Sequence, residues 1–197
     1  MIKNIVLILG AQGSGKTTQG KLLAESLHYK FISTGEILRE ARESKNPLGL
    51  KLSEYWEKGD LVPDELIESI LFPILEDFDV PGFVIDGYPR NLNQLESFIS
   101  FLDLNAWPLI DAVYLEISRE ECFARIRKRA QIEMRPDEND EAVAHRLDIY
   151  YHETQPLLTK YSEMGKLLKI DGHPSPDEIH KNIVEIVNTK TKLHADD

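Results

Sequence analysis

Gly10-Ala11-Gln12-Gly13-Ser14-Gly15-Lys16-Thr17 follows the apolar run Ile2 to Leu9 and opens a helical pattern that carries Leu22, Leu23, Ala24 and Leu27. A buried strand feeding a glycine-rich turn that leads into a helix is the setting of a phosphate-binding loop. The turn lets successive backbone N–H groups converge on one point, the helix N-terminus adds partial positive charge there, and Lys16 can reach the terminal phosphates of a nucleoside triphosphate. The competing reading is a glycine-rich turn with a solvated lysine, and the apolar segments on both sides of the loop speak against it.

Outward from this loop, helical stretches alternate with short β-rich runs. Strands are expected at Ile2 to Leu9, Phe31 to Ser33, Gly82 to Asp86, Ala112 to Ile117 and Leu167 to Ile170, each apolar as a strand covered on both faces should be. The implied fold class is α/β, a P-loop doubly wound unit on a five-stranded parallel sheet, with ligand groups at the carboxyl ends of the strands. Ser118 with Glu121, and Ser175 with Glu178, are capping-box patterns that place helix starts directly after the last two strands. Two segments interrupt the alternation, a helical one at about 34–73 and a short polar one at about 130–139 that contains Pro136. Both read as insertions over the site of a single domain whose core is 1–33, 74–129 and 140–197, an arrangement suited to enclosing a second substrate.

The chain has 197 residues, 42% of them hydrophobic, enough for one domain with a substantial core. Its formal net charge of −11 argues against broad binding to nucleic acid or anionic membrane. The single cysteine, Cys122, excludes an internal disulfide framework and reads as a buried helix residue. The N-terminal apolar run is too short for a signal-peptide core and no later stretch approaches membrane-spanning length, so the cytoplasm is the expected compartment; separately, a monomer is expected. His28, His145, His152, His173, His180 and His194 lack ligand spacing, and surface placement is expected for most of them.

The third strand ends Phe83-Val84-Ile85-Asp86-Gly87-Tyr88-Pro89-Arg90. An aspartate there is placed to hold Mg²⁺ through its water shell beside the phosphates, the alternative being a turn or helix-capping aspartate. Gly87 permits close backbone approach, and Pro89 fixes a turn that aims the planar fork of Arg90 back into the crevice. Arg125 and Arg129 lie four apart on a helix and share a face, forming a basic cluster with Arg127 and Lys128. A solvated helical face is the alternative; the phosphate loop, Arg135 and Arg146 favour phosphate contact. Several fixed guanidinium groups stabilise the charge of a moving phosphoryl group without covalent chemistry.

Taken together, GAQGSGKTTQ, ISTGEILRE, KGDLVPDELI, VIDGYPRNLNQ and RIRKRAQIEMRPDEN resemble the nucleoside monophosphate kinases, adenylate kinases most closely, over nearly the whole chain. The resemblance implies reversible transfer of the γ-phosphoryl group of MgATP to AMP, giving two ADP, with 34–73 as the monophosphate-binding insertion and 130–139 as a lid. It implies that Gly13, Ser14, Gly15, Lys16, Thr17 and Thr18 wrap the donor phosphates. It places Thr34, Gly35, Arg39, Asp60, Leu61, Val62, Gly87, Tyr88, Pro89, Arg90 and Gln94 around AMP, with Gln94 reading adenine. Arg125, Arg129, Arg135 and Arg146 match the arginines that close on the phosphoryl groups, Asp86 and Thr17 serve the metal, and Pro174 would offer a carbonyl to the donor adenine. The lid resembles the short form, without the cysteine cluster that a structural zinc needs.

Some positions depart from the family pattern. Gln12 stands where proline is usual, Thr17 replaces a glycine, and Glu138 takes the place of an aspartate. Thr17 is what a general phosphate loop carries, with a hydroxyl able to reach Mg²⁺. Asn91 resembles uridylate and cytidylate kinases, but it can cap the next helix, whereas Gln94 suits the donor and acceptor edge of adenine. Two other functions remain open from the sequence: a nucleotide-dependent switch without an acceptor, and a P-loop kinase acting on another metabolite. A switch has no use for Thr34, Arg39, Arg90 and Gln94, and a metabolite kinase would not need an adenine-reading glutamine.

Overall fold

A computed structural model of the chain describes residues 2–43, 52, 55, 60–133 and 140–193. Five strands, β1 (Asn4–Leu9), β2 (Lys30–Ser33), β3 (Gly82–Asp86), β4 (Leu109–Glu116) and β5 (Leu167–Asp171), form one sheet in the order β2-β3-β1-β4-β5. Every pairing is parallel. Central β1 packs Ile5, Leu7 and Leu9 into one core cluster and Val6 and Ile8 into another, the two faces of a doubly covered strand.

Helices cover both faces. On one lie α1 (Lys16–Leu27) and the C-terminal α8 (Pro176–Leu193), which contribute Leu23, Ala24, Ile179, Ile183 and Val187. The other cluster takes Leu38 from α2 (Thr34–Glu43), Leu71 and Leu75 from α3 (Asp64–Asp77) and Phe98 from α4 (Leu92–Leu104). It also takes Ile126 from α5 (Arg119–Glu133), Leu147 from α6 (Asp140–Ile149), and Leu157 and Tyr161 from α7 (Pro156–Glu163). A single π turn, Tyr150–Thr154, joins α6 to α7.

Local chemistry sets the helix boundaries. Asn91 is the N-cap of α4, its side chain accepting from the Gln94 main-chain N–H at 2.8 Å. Ser175 and Glu178 complete a reciprocal capping box at α8, while Ser118 accepts from Glu121 N–H at the start of α5. Cys122 is fully buried on α5. Lys3 is also buried, its Nζ donating to the Leu75 and Glu76 carbonyls at the end of α3 and lying 4.4 Å from the Trp107 ring centroid. That position favours a cation, because unpaired helix carbonyls and an aromatic face both attract one.

Several boundaries differ from the sequence reading. β1 begins at Asn4 rather than Ile2, and β4 begins at Leu109 rather than Ala112, with a register shift against β1 at its start. The limit drawn at residue 73 falls inside α3, which continues past Pro73 to Asp77. Pro73 and Ser69 are both exposed, so water can serve the carbonyl that the missing proline N–H leaves unpaired. Likewise α5 runs on to Glu133, beyond the boundary drawn at residue 130.

Phe98 is fully buried, edge-on to Tyr88 with ring centroids 5.4 Å apart and stacked beside Phe101 and Phe72. Phe98→Ala is expected to destabilise the protein by about 3–5 kcal/mol through the cavity it leaves. Urea denaturation checks this: the midpoint should fall with the slope unchanged.

Candidate active site

The carboxyl ends of β1, β2 and β3 open onto a cleft of about 480 Å³. Its walls include Gly10, Gln12, Lys16, Thr17 and Thr18 from the glycine-rich loop and the start of α1. Thr34, Gly35 and Arg39 of α2 line it, as do Asp60, Leu61 and Val62 ahead of α3. Asp86, Gly87, Tyr88, Pro89 and Arg90 follow from β3, then Gln94 from α4, Arg129 from α5 and Arg146 from α6. Residues scattered from 10 to 146 in the sequence thus share one space.

The loop is packed closely against α5. Gly13 has φ +86°, and a Cβ there would lie 2.7 Å from the Cys122 carbonyl oxygen, so α5 packs against the loop too closely for a side chain. Gly13, Ser14 and Gly15, expected around the donor phosphates, build the turn but do not line the cleft, whose wall is formed by the residues on either side of them. Lys16 Nζ donates to the Ala11 carbonyl at 3.3 Å. Burial pushes its pKa below the ordinary lysine value; Asp86 opposes that shift, and Arg90 and Arg129 add to it.

The second wall is built around Arg90. Its Nε donates to the Gly87 carbonyl at 2.8 Å, which the Thr34 hydroxyl also reaches at 2.9 Å. Gly87 has φ +84°, and a Cβ there would meet Thr34 Oγ1 at 2.6 Å. The main-chain N–H of Arg90 donates to Gln94 Oε1 at 2.7 Å, and its carbonyl accepts from the Thr154 hydroxyl at 2.8 Å. Burial lowers the Arg90 pKa from its usual value, Asp86 counters it, and Arg146 lowers it further. Positive charges are therefore gathered at mutual cost around a cleft, as a site for polyanions requires.

Asp86 is 3% exposed. Its Oδ2 accepts from Thr17 Oγ1 at 2.6 Å, and its Oδ1 has no hydrogen-bond partner among the described residues. A buried carboxylate oxygen left open beside a hydroxyl is a donor set that fits Mg²⁺, a hard cation that keeps several waters.

Not every expected residue reaches the cleft. Arg125 does not line it: its Nε donates to Glu121 Oε1 at 2.8 Å, an i,i+4 pair on the surface of α5. Pro174, between β5 and α8, does not line it either. Arg135 and Glu138 lie outside the described residues. His145 and His173 are exposed and paired with Asp60 and Asp171, respectively, at 2.9 Å and 2.6 Å. Three contributors were absent from the sequence reading: Thr154 and Tyr150 of the π turn, and the Lys21–Glu36 ion pair at 2.7 Å, all at the cleft. No spacing signal marks them; Thr154, for one, is tied to the Arg90 carbonyl 64 residues away.

A parallel sheet with a phosphate loop at the end of its central strand, facing a second set of cationic and amide side chains across one cleft, defines a phosphotransferase of the nucleoside monophosphate kinase class. The model of the adenylate kinase family matches residues 8–166. Adenylate kinases of Thermus thermophilus and Xanthomonas campestris are 39% and 40% identical to this chain, each over 90% of its length and over 94% and 96% of their own. That of Micrococcus luteus is 37% identical over 92% of this chain and 89% of its own. The chain belongs to the adenylate kinase family. Among the described residues no helix is long and apolar enough to cross a membrane.

Proposed function

We propose that this chain carries the γ-phosphoryl group of MgATP to AMP, giving two ADP, and the reverse. The observation that carries the reading is the opposition, across one cleft, of Lys16 and its loop to the set formed by Thr34, Arg39, Arg90 and Gln94. In this reading the amides of Gly13 to Thr18 and the Lys16 ammonium hold the donor phosphates. Arg39 and Arg90 grip the acceptor's α-phosphate, Asp60, Leu61 and Val62 contact its nucleoside, and Gln94 reads the base. Arg129 and Arg146, with Arg135 from the lid at 130–139, close on the group in transit.

The chemistry follows from placement. An acceptor phosphate oxygen attacks the γ-phosphorus in line as the bond to the β,γ-bridging oxygen breaks, so the protein supplies no nucleophile. What it supplies is orientation and fixed positive charge where the equatorial oxygens gain charge. Thr17 and Asp86 would hold the Mg²⁺ that arrives with ATP, and the ion offsets phosphate charge there. Water competes with AMP for the phosphoryl group, and enclosure by the insertion at 34–73 and the lid excludes it.

A panel of acceptors tests the reading. With MgATP and AMP, CMP, UMP or dTMP in turn, ADP formation is expected with AMP above the others, and labelled phosphate release to water should be slow. ADP formed only with UMP or CMP overturns the acceptor assignment. Release to water at one rate with or without any monophosphate indicates a switch instead.

A further inference from the structure

The side-chain amide of Gln94 is held from both sides. Its Oε1 accepts from the Arg90 main-chain N–H, and its Nε2 donates to Asp64 Oδ1, each at 2.7 Å. Asn91 Nδ2 donates to the same Asp64 oxygen at 2.9 Å, while Asn91 Oδ1 caps the helix at the Gln94 N–H. Turning the Gln94 amide over would set donor against donor at Arg90 and acceptor against acceptor at Asp64. Its orientation is therefore dictated by the chemistry of its partners and not by its shape. Gln94 is 2% exposed, so bulk water does not relieve a wrong orientation. One N–H and one oxygen lone pair remain uncommitted on a side chain that lines the cleft.

We propose that Asp64 is a positioning residue that fixes the Gln94 amide and thereby sets the base preference of the acceptor site. The inference rests on the reading of Gln94 as the residue facing the acceptor base. Asp64 begins α3, whereas Arg90, Asn91 and Gln94 belong to the turn after β3 and to α4. An amide fixed in one sense offers its N–H and its oxygen in one order. AMP presents a 6-amino donor beside a ring-nitrogen acceptor. IMP has the same size but carries an oxo acceptor in place of the amino group, and it is matched only by an amide turned the other way. Discrimination arises because a mismatched buried pair leaves polar groups facing without a bond.

The experiment measures kcat/KM for AMP and for IMP, with MgATP as donor, on the full chain and on Asp64→Ala, Asp64→Asn and Gln94→Ala. Their ratio does not depend on the active fraction, so a variant that folds poorly does not mimic the effect. Gln94→Ala should collapse the AMP:IMP ratio, and Asp64→Ala should lower it by about tenfold. Asp64→Asn keeps an oxygen acceptor for Nε2 and should return the ratio to within about threefold of the parent. An unchanged ratio in Asp64→Ala beside a collapsed one in Gln94→Ala overturns the role of Asp64. An asparagine variant no better than the alanine one overturns it too. A ratio unchanged in Gln94→Ala overturns the reading of Gln94 itself, and the inference with it.

Discussion

Lys16→Ala is expected to lower kcat for phosphoryl transfer by about a thousandfold, with the unliganded protein melting no lower than the parent. Burial, with the like charges of Arg90 and Arg129, outweighs the attraction of Asp86 for the ammonium, so the empty protein gains little from it. Its value is realised only against phosphate, where a desolvated cation meets charge developing in the transition state. Saturating MgATP should raise the melting temperature of the parent by mass action and that of the variant far less. A variant that melts well below the parent without ligand would place Lys16 in the scaffold instead.

Arg90→Ala is expected to reduce kcat/KM by a similar factor, about a thousandfold, and Arg90→Lys to recover little of it. Lysine keeps the charge but loses two features of this site. The Nε donor that binds the Gly87 carbonyl at 2.8 Å disappears, and with it the constraint that aims the side chain. The planar fork that meets two phosphate oxygens at once is replaced by a point charge on a flexible stem. Steady-state rates for the three proteins, with AMP varied at saturating MgATP, decide the matter. A lysine variant within a few fold of the parent would show that charge alone suffices.

The parts of the site that could be read from the sequence follow strands. β1 and β3 are covered on both faces, so Ile5 to Leu9 and Phe83 to Ile85 are uninterrupted apolar runs, and the residues that follow each run, Gly10 to Thr17 and Asp86 to Arg90, stand at the strand ends where the fold puts ligands. The start of β4 was missed because Asp111, fully buried, breaks the apolar run that marks a covered strand. The insertion limit at residue 73 falls on a proline inside α3, whose exposed face lets the helix continue to Asp77. Arg125 and Arg129 share a face by spacing, yet only Arg129 reaches the cleft, because Glu121 one turn earlier holds Arg125. Asp64 reads locally only as a first-turn acid of α3, and Thr154 carries no local signature. Each is given its place by Gln94 or Arg90 across the fold, and such pairings are invisible to a pattern of neighbours.

The strand order bears on how the chain is made. Central β1 is synthesised before both of its neighbours, for Ile5 pairs with Phe83 on one edge and Leu109 on the other. Ile-Val-Leu-Ile-Leu thus leaves the ribosome with neither neighbour available, and it stays open to strand-to-strand association until β4 has emerged. Folding of the sheet during translation has to wait for β4, and nascent chains halted before Glu116 should be the ones most in need of a chaperone.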